Sequence, residues 1–273
     1  MKRVVLLLVS ICIIIVSIFV FTTEKKSTET IDNNEVFEDS LSFSKGSKLF
    51  YLYPKFTENQ IVYHKIYTLS YSEKDEQAAW VAYKLDKNSI NDSIKRKDNF
   101  REDPSISTGS ATLNDYLNSG YDRGHLTPAK AMSFNKVTMS ESFFMSNMSP
   151  QVPSFNRGIW KKLEEEVRGW IGISDSLYVV TGPVLDNPKG TIGYQNVTVP
   201  RAYYKTMLRF NNNTITAIGF LLNNEKSDKT ISAFVTSIDS IEKITQLDFF
   251  QQLPDSIETV LEKNTNLKIF LKN

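Results

Sequence analysis

The chain opens with an apolar segment unlike anything that follows it. Lys2 and Arg3 precede a nearly unbroken apolar run from Val4 to Phe21, which in a helix rising about 1.5 Å per residue nearly spans a bilayer core of roughly 30 Å. The run is longer than the about 7–15 apolar residues of a typical signal peptide, and no small-x-small cleavage site follows it. We therefore expect residues 1–23 to be an N-terminal membrane anchor, or a signal segment if it is cleaved.

The pattern changes twice after that segment. Residues 24–47 are mostly charged or small and polar, with too few large apolar side chains to offset the entropy lost on ordering, and this favours a linker. From residue 48 to residue 273, apolar and polar positions alternate in segments typical of a folded protein, over a length sufficient for a sizeable core. We expect one domain over 48–273.

Short runs of aromatic and β-branched residues within 48–273 predict strands. The first two runs are separated by the polar stretch SEKDEQ, which predicts an antiparallel pair, and the last two are joined by an Asn-rich turn. The runs are Ile61–Tyr71, Ala79–Leu85, Leu177–Leu185, Tyr203–Phe210 and Thr214–Leu222.

Helical periodicity is strongest after residue 155. The apolar residues that recur there at helical spacing are Trp160, Leu163, Val167, Trp170 and Ile171. Two later stretches, SIDSIEKITQ and PDSIETVLEK, each begin with a Ser or Asp capping signal and carry acidic residues in the first turn. Together with the strand runs, these helices predict an α+β fold: a central mixed or antiparallel sheet flanked by helices.

Composition narrows the function classes. The chain has a single cysteine, Cys12 in the apolar run, so the remainder can form neither a disulfide nor a thiolate metal site. Without residues 1–23, 30 basic and 31 acidic residues remain, so any binding of nucleic acid must be local. Only two histidines are present, which argues against a zinc hydrolase. The sequence also lacks the GxSxG motif, which argues against a serine hydrolase.

One of the two histidines, His125, ends the motif YDRGHL. SNMSPQ follows from Ser146, and FNRGIWKKLE from Phe155 opens the periodic helix, so the order is strand, loop, strand, helix. In this order and spacing the three blocks resemble the DNA/RNA non-specific endonucleases with a ββα-metal active site, although Phe155 stands where that family usually has Leu. The resemblance extends over roughly Gln60 to Ile257, and it implies a ββα-metal finger on the α+β fold.

The three motif blocks contain the kinds of residue that phosphodiester hydrolysis requires. The reaction needs a base for water, cationic help for the charge on phosphorus, and a metal ion for the leaving oxygen. The resemblance implies that His125 is the general base and that Arg123 offsets the phosphate charge. Asp122 is expected to be the structural partner of Arg123 rather than a metal ligand. The second histidine, His64, has no acidic neighbour in sequence and is expected to be structural.

The helix block supplies the expected metal site. Asn156 is well placed to cap the helix, but the resemblance makes it the sole direct protein ligand of Mg²⁺, with Mn²⁺ or another divalent cation as alternatives. Glu164 lies eight residues later and only about 80° around an ideal helix, so it would act through a water molecule of the metal.

Supporting roles follow for several other residues. Asn147 is expected to support the site from the second strand, and Arg157 to bind substrate. The resemblance also implies a further phosphate-binding arginine near the FxxDP stretch, and the segment SIKRKDNFREDP offers Arg96 and Arg101 without a unique match. The remaining basic surface is assigned to the lysines and arginines in or flanking the motifs: Lys130, Lys136, Arg157, Lys161, Lys162, Arg201 and Lys205.

These features, together with the resemblance, predict a Mg²⁺-dependent endonuclease that cuts DNA and RNA with little sequence preference. The resemblance also implies that cleavage leaves 5′-phosphate and 3′-hydroxyl ends. The alternative is a membrane-tethered nucleic-acid-binding module that keeps the fold without turnover. We expect the protein to be exported, anchored with its catalytic domain outside the cytoplasm or secreted if cleaved, and a homodimer is possible.

Overall fold

The structure is a computed structural model, and it describes residues 53–54, 59–91, 93–212 and 214–272. The predicted segment 1–23 and the linker 24–47 lie outside these residues. Within the described ranges, no helix combines the length and apolar character needed to cross a membrane. Contacts within the chain group Ser47–Asn273 as one compact unit.

A seven-stranded sheet forms the centre of this unit, in the order β1-β2-β3-β6-β9-β10-β11. Every pairing between neighbouring strands is antiparallel. The strands are β1 (Gln60–Tyr63), β2 (Tyr67–Ser72), β3 (Gln77–Asp86), β6 (Ser176–Val184), β9 (Ala202–Asn211), β10 (Thr214–Asn223) and β11 (Val235–Thr236). The predicted α+β class with an antiparallel central sheet is confirmed.

The strands follow the sequence pattern with one difference. The run Ile61–Tyr71 is two strands rather than one, because the chain turns where the backbone N–H of His64 donates to the carbonyl of Tyr67 at 2.9 Å. The inner strands are buried almost continuously, and the first eight residues of β9 are all buried. Strands covered on both faces need apolar residues at consecutive positions, which explains their continuous rather than alternating pattern.

Short helices and two small sheets surround the main sheet. Strands β4 (Asp122–His125) and β5 (Met148–Gln151) form one two-stranded sheet, and β7 (Thr191–Ile192) and β8 (Val197–Thr198) form the other. The α-helices are α1 (Leu113–Tyr116), α2 (Lys136–Glu141), α3 (Lys161–Trp170), α4 (Ile238–Thr245), α5 (Asp255–Glu262) and α6 (Leu267–Phe270). Short 3₁₀ segments are Lys87–Ile90, Ala129–Met132, Met145–Asn147, Ile171–Ile173 and Ile231–Phe234.

Helix α3 packs on the sheet through the predicted apolar face. Trp160, Leu163, Val167, Trp170 and Ile171 are all buried. The ring of Trp160 lies 5.5 Å from that of Tyr203 on β9, and the ring of Trp170 stacks on Phe220 of β10 at 6.0 Å. This packing fixes the helix that follows the motif strands.

The predicted first residues of the helices agree less closely with the structure. Ser237 caps α4 as predicted, since its side chain accepts from the backbone N–H of Ser240. Helix α5 begins after Pro254, which has no capping side chain. The predicted continuous helix from Asn156 is also wrong: Phe155–Trp160 is a π-type turn interrupted at Gly158, whose φ of −104° and ψ of −110° are not helical, and the regular helix begins at Lys161.

Candidate active site

The predicted motif strands form the ββ part of the site. In the β4–β5 pair, His125 lies opposite Met148 and Gly124 opposite Ser149. Gly124 is required by close packing, because a Cβ atom there would lie 2.1 Å from the Gln151 side chain. The glycine of the motif therefore allows the two strands and the Gln151 side chain to pack together.

The two strands are attached to the main sheet through β5. The hydroxyl of Tyr203 on β9 donates to the carbonyl of Pro150 at 2.8 Å. The amide group of Asn224 donates to the same carbonyl at 3.0 Å, and its oxygen accepts from the backbone N–H of Val152 at 2.8 Å. These buried contacts fix the position of β4 relative to α3, and thus of His125 relative to the helix.

Asn147 has a structural role in this unit. Its side-chain oxygen accepts from the backbone N–H of Thr127, and its amide group donates to the carbonyls of Thr127 and Ser142, at 2.8 to 3.0 Å. The residue is fully buried. Asn147 therefore holds the loop after His125 against the segment before β5, and it lies immediately before the second motif strand rather than within it.

His125 lies between aromatic rings at one end of β4. Its ring meets Phe143 edge-on at 4.9 Å between centroids and lies 5.7 Å from Phe100. The Nε2 atom is buried and has no hydrogen-bond partner among the described residues. Burial lowers the pKa of His125 to about 3, and Arg96 and Arg123 act in the same direction. The imidazole is thus neutral at neutral pH.

Arg123 does not pair with Asp122, contrary to the prediction. Its guanidinium carbon lies 4.4 Å from the centre of the Phe100 ring, and its side chain is exposed. Adjacent residues of a strand point to opposite faces, which separates the two side chains. Arg123 is therefore oriented by an aromatic ring, and no described carboxylate forms an ion pair with it.

Asp122 instead connects β4 to the turn before α3. Its carboxylate accepts from Arg157 Nε at 2.8 Å and from Asn156 Nδ2 at 2.9 Å. A carboxylate only accepts hydrogen bonds, so this contact fixes the nitrogen of Asn156 toward Asp122 and leaves its Oδ1 facing away. The alternative role of Asn156 as a helix cap does not apply, because the residue lies inside the irregular turn.

Glu164 lies on α3 in a partly buried position. Its Oε1 atom is buried and has no hydrogen-bond partner among the described residues. Burial raises the pKa of Glu164, whereas Lys205 and Arg96 act to lower it.

Of the two candidate arginines in SIKRKDNFREDP, only Arg96 lines the cleft. Its guanidinium carbon lies 5.1 Å from the Phe143 ring centre, and its Nε atom donates to Asp98 at 2.6 Å on an exposed side chain. Arg101 is held instead by the carbonyl of Ser140, at 3.0 Å. The structure therefore shows which of the two arginines lies at the cleft, whereas the sequence alone did not distinguish them.

A cleft of about 1690 Å³ contains the predicted site residues other than Asn147. The lining residues among the predicted set are Arg96, Asp122, Arg123, His125, Asn156, Arg157 and Glu164. Of the predicted basic surface, Lys130 and Lys161 also line it. Lys205 does not: it is fully buried in β9, so its assignment to the phosphate-binding surface is wrong. Its position among aromatic and aliphatic residues in YYKTMLRF was the signal of that burial.

Asp98, Asp122, Glu164 and Glu165 line the cleft, but these carboxylates do not form a compact cluster. Among the described residues, the acidic group compact enough to share one cation is Asp239, Glu242 and Glu262, on α4 and α5, and none of the three lines the cleft. The oxygen donors that line the cleft include the amide of Asn156 and the carboxylate of Glu164, next to the basic residues. This donor set suits a hard divalent cation that keeps most of its water.

Comparison with known proteins agrees with the geometry. A family model described as DNA/RNA non-specific endonuclease matches residues 46–256. Nuclease C1 of Cunninghamella echinulata var. echinulata is 35% identical over 214 residues, covering 72% of this chain and 85% of that protein. Human mitochondrial endonuclease G is 31% identical over 205 residues, covering 70% of this chain and 69% of that protein.

A solved structure gives the same answer for the fold. The structure of an EndoG/EndoGI complex superposes with a TM-score of 0.70 at 30% identity, covering 80% of this chain and 92% of that chain. The family model covers most of this chain, and its match includes all three motif blocks. The chain therefore belongs to the DNA/RNA non-specific endonuclease family.

Proposed function

We propose that this protein is a divalent-metal-dependent endonuclease that hydrolyses phosphodiester bonds of DNA and RNA with little sequence preference, with His125 as the general base. The observation that carries the proposal is the state of His125 within the cleft. Its ring is neutral, its Nε2 has no described partner, and cationic Arg96 and Arg123 lie nearby. A neutral imidazole is the form that accepts a proton from water.

The cationic groups of the cleft support a phosphate-binding role. Arg123, stacked on Phe100, presents a permanently charged planar fork that can hold two phosphate oxygens and offset charge on phosphorus in the transition state. Arg96 lies on the other side of His125, over Phe143. We assign Arg96 as the further phosphate-binding arginine, because Arg101 is engaged with the backbone of Ser140.

The metal would be held by Asn156. Its nitrogen is committed to Asp122, so Oδ1 is the atom available for a cation, while Arg157 neutralises Asp122 on the other side. Mg²⁺ fits one amide oxygen together with waters and substrate oxygens, and Mn²⁺ is compatible with the same donors. When bound, the cation would supply charge stabilisation at the leaving oxygen. Glu164 adds a carboxylate that orients water on this side of the cleft.

Cleavage assays test the proposal directly. Supercoiled plasmid and a structured RNA are incubated with the protein in Mg²⁺ or in EDTA, beside His125→Ala. We expect Mg²⁺-dependent cutting of both substrates, and a loss of about 10²–10⁴-fold in the variant. Tight binding of both nucleic acids without cleavage by the wild type would contradict the proposal and support the tethered binding module.

Export and dimerisation are two further proposals. Lys2 and Arg3 before the apolar run support retention of that end in the cytoplasm, with the nuclease domain on the other side of the membrane. Protease treatment of intact cells tests this orientation, since degradation of the domain without lysis is the expected result. Sedimentation of the purified protein gives its oligomeric state.

A further inference from the structure

One end of the cleft is formed by an apolar surface. Leu113 begins α1 and Leu117 follows its last residue, and their side chains are 41% and 68% exposed. Both leucines line the cleft, as do Tyr116 and Tyr121. Exposed apolar side chains that are grouped in a concave site are typical of ligand-binding surfaces. Together these four residues form the apolar rim.

A small apolar cluster joins the rim to the reactive residues. Tyr116 is buried in this cluster together with Met148, which lies opposite His125 in the β4–β5 pair. Phe100 packs on the same cluster, and Arg123 lies over the Phe100 ring at 4.4 Å. A ligand that contacts the rim therefore lies beside the proposed phosphate-binding arginine and the proposed general base.

Helix α1, which carries the rim, is held by a buried carboxylate. Asp115 accepts from the backbone N–H and the hydroxyl of Thr112, both at 2.8 Å, and from the backbone N–H of Gln195 at 3.0 Å. The turn between β7 and β8 packs closely on this residue, because a Cβ atom at Gly193 would lie 2.3 Å from the Asp115 side chain. The leucines thus belong to a fixed surface, which reduces the ordering needed when a ligand binds.

The polar groups beside the rim match the edge of a nucleobase. Asn114 and Asn118 are exposed and line the cleft, and each offers an amide that both donates and accepts hydrogen bonds. The hydroxyl of Tyr116 is buried and has no hydrogen-bond partner in the described part of the chain. A nucleobase combines two apolar faces with such a donor and acceptor edge, so its chemistry fits this surface.

We propose that the apolar rim is a binding site for an unpaired nucleobase of the strand whose phosphate lies at Arg123. Proteins that bind single-stranded nucleic acid combine a cationic groove for the backbone with side chains that stack on the bases. In a duplex the neighbouring bases cover both faces of each base, so only an unpaired base can enter. The inference rests on the proposed function, because it names the form of substrate that this same cleft favours.

A second copy of this chain is the other candidate occupant of the rim. Two leucines and two tyrosines are few for such an interface, since stable interfaces bury about 800 Å² on each partner. The rim also shares its cleft with Arg96, Arg123 and Lys130, whose charge is complementary to a polyanion. We therefore assign the rim to nucleic acid, and the oligomeric state of the variants tests the alternative.

The test compares a rim variant of the full chain, Leu113→Ser/Leu117→Ser, with the control Val260→Ser/Ile269→Ser. Val260 and Ile269 are 70% and 51% exposed, which matches the leucines, and neither lines the cleft. The substrates are a labelled single strand, the duplex of the same sequence, and a strand of equal length made of stable abasic residues. Cleavage in Mg²⁺ gives kcat/KM, binding in EDTA gives Kd, and thermal unfolding gives Tm.

We expect the rim variant to lower kcat/KM and raise Kd for the single strand by about 5–20-fold, as for the loss of one stacked base. The values for the duplex change much less, so the preference for the single strand falls. Wild type binds the abasic strand more weakly than the intact strand, and this difference shrinks in the rim variant, because the base and the rim act as a pair. The control variant keeps the wild-type values, and the Tm of each variant shows that it is folded.

Equal losses for the single strand and the duplex, or unchanged values for the single strand, would overturn the inference. Sedimentation that shows a changed oligomeric state only in the rim variant would assign the rim to a second copy and would also overturn it. The Kd values in EDTA do not depend on turnover. Wild type that binds without cleaving would therefore overturn the proposed function, while the ratio of Kd values would still decide the role of the rim.

Discussion

The two histidines of this protein lie in matching surroundings and differ in one partner. Phe143 packs against His125, and the next residue, Phe144, packs against His64 at 5.2 Å. The similarity continues to the arginines, because Arg96 lies over the Phe143 ring and Arg101 lies over the Phe144 ring. Each histidine therefore lies against a phenylalanine that is covered by an arginine, although His125 also contacts Phe100 and His64 also contacts Tyr67.

The difference is a carboxylate. His64 Nε2 donates to Asp103 Oδ2 at 3.0 Å, and the two side chains are 4% and 0% exposed. Ser146 also donates to Asp103, at 2.5 Å. His125 Nε2 has no such partner among the described residues, and His125 is one of the residues that line the cleft. A buried polar group that is fully hydrogen-bonded stabilises the fold, whereas one left without a partner is available for chemistry.

Among the variants that test this comparison, the largest effect on cleavage is expected from a substitution of Asp122, which contacts Asn156 and Arg157 in the cleft around His125. Asp122→Ala removes the acceptor that orients Asn156 and the ion pair with Arg157. We expect the Mg²⁺ concentration for half-maximal cleavage to rise by about 10–100-fold, as for other partners of metal ligands. Titration of activity with Mg²⁺ measures it. An unchanged Mg²⁺ requirement would show that Asn156 does not hold the metal.

The pH dependence of stability tests the structural role of the His64–Asp103 pair. Burial alone would raise the pKa of Asp103, but hydrogen bonds from His64, Ser146 and the backbone of Ser105 hold it below its usual value. The stabilisation is therefore complete above the unfolded pKa of about 3.9 and is lost as the pH falls through the lower folded value. Asp103→Asn is expected to cost about 1–3 kcal/mol at neutral pH, with cleavage retained at 25 °C.

Thermal unfolding between pH 7 and pH 3 measures that effect. The Tm of the wild type should fall more steeply in acid than that of Asp103→Asn, because the variant lacks the titrating carboxylate. Parallel curves for the two proteins would contradict the assignment of Asp103 as the carboxylate that stabilises the His64 side.

The arginines of the two clusters provide a matched pair. Arg96→Ala is expected to lower kcat/KM about tenfold with an unchanged Tm, because its side chain is exposed in the cleft. Arg101→Ala is expected to lower Tm with little change in kcat/KM, since Arg101 bonds to the backbone of Ser140 and Asn99. The reverse distribution of effects would show that the further phosphate-binding residue is Arg101.

The smallest effect is expected from adjacent surface lysines. Lys161 and Lys162 are both exposed, but only Lys161 lines the cleft. Lys161→Glu should raise KM a few-fold and flatten its salt dependence, because one phosphate contact is lost, whereas Lys162→Glu serves as the control. Equal effects of the two reversals would indicate a general influence of net charge in place of a local contact.

The sequence predicted the fold and the residues that line the cleft better than it predicted which side chains pair with one another. Strand runs, the apolar face of α3 and the three motif blocks follow from periodicity and spacing within short segments. The partners do not, because Asp103 lies 39 residues from His64, and Arg157 lies 35 residues from Asp122. Such pairs depend on how segments pack, which local patterns do not contain. The interruption at Gly158 likewise depends on the packing of Phe155 and Trp160 against Tyr203.

The most direct test measures kcat/KM and Tm for His125→Ala and His64→Ala side by side, with plasmid and Mg²⁺. The account predicts a crossed result: His125→Ala loses about 10²–10⁴-fold in kcat/KM and keeps its Tm, whereas His64→Ala loses several degrees in Tm and keeps most of its activity per folded molecule. If His125→Ala remained active while folded, or if folded His64→Ala were equally inactive, the division between a reactive and a structural histidine would be contradicted.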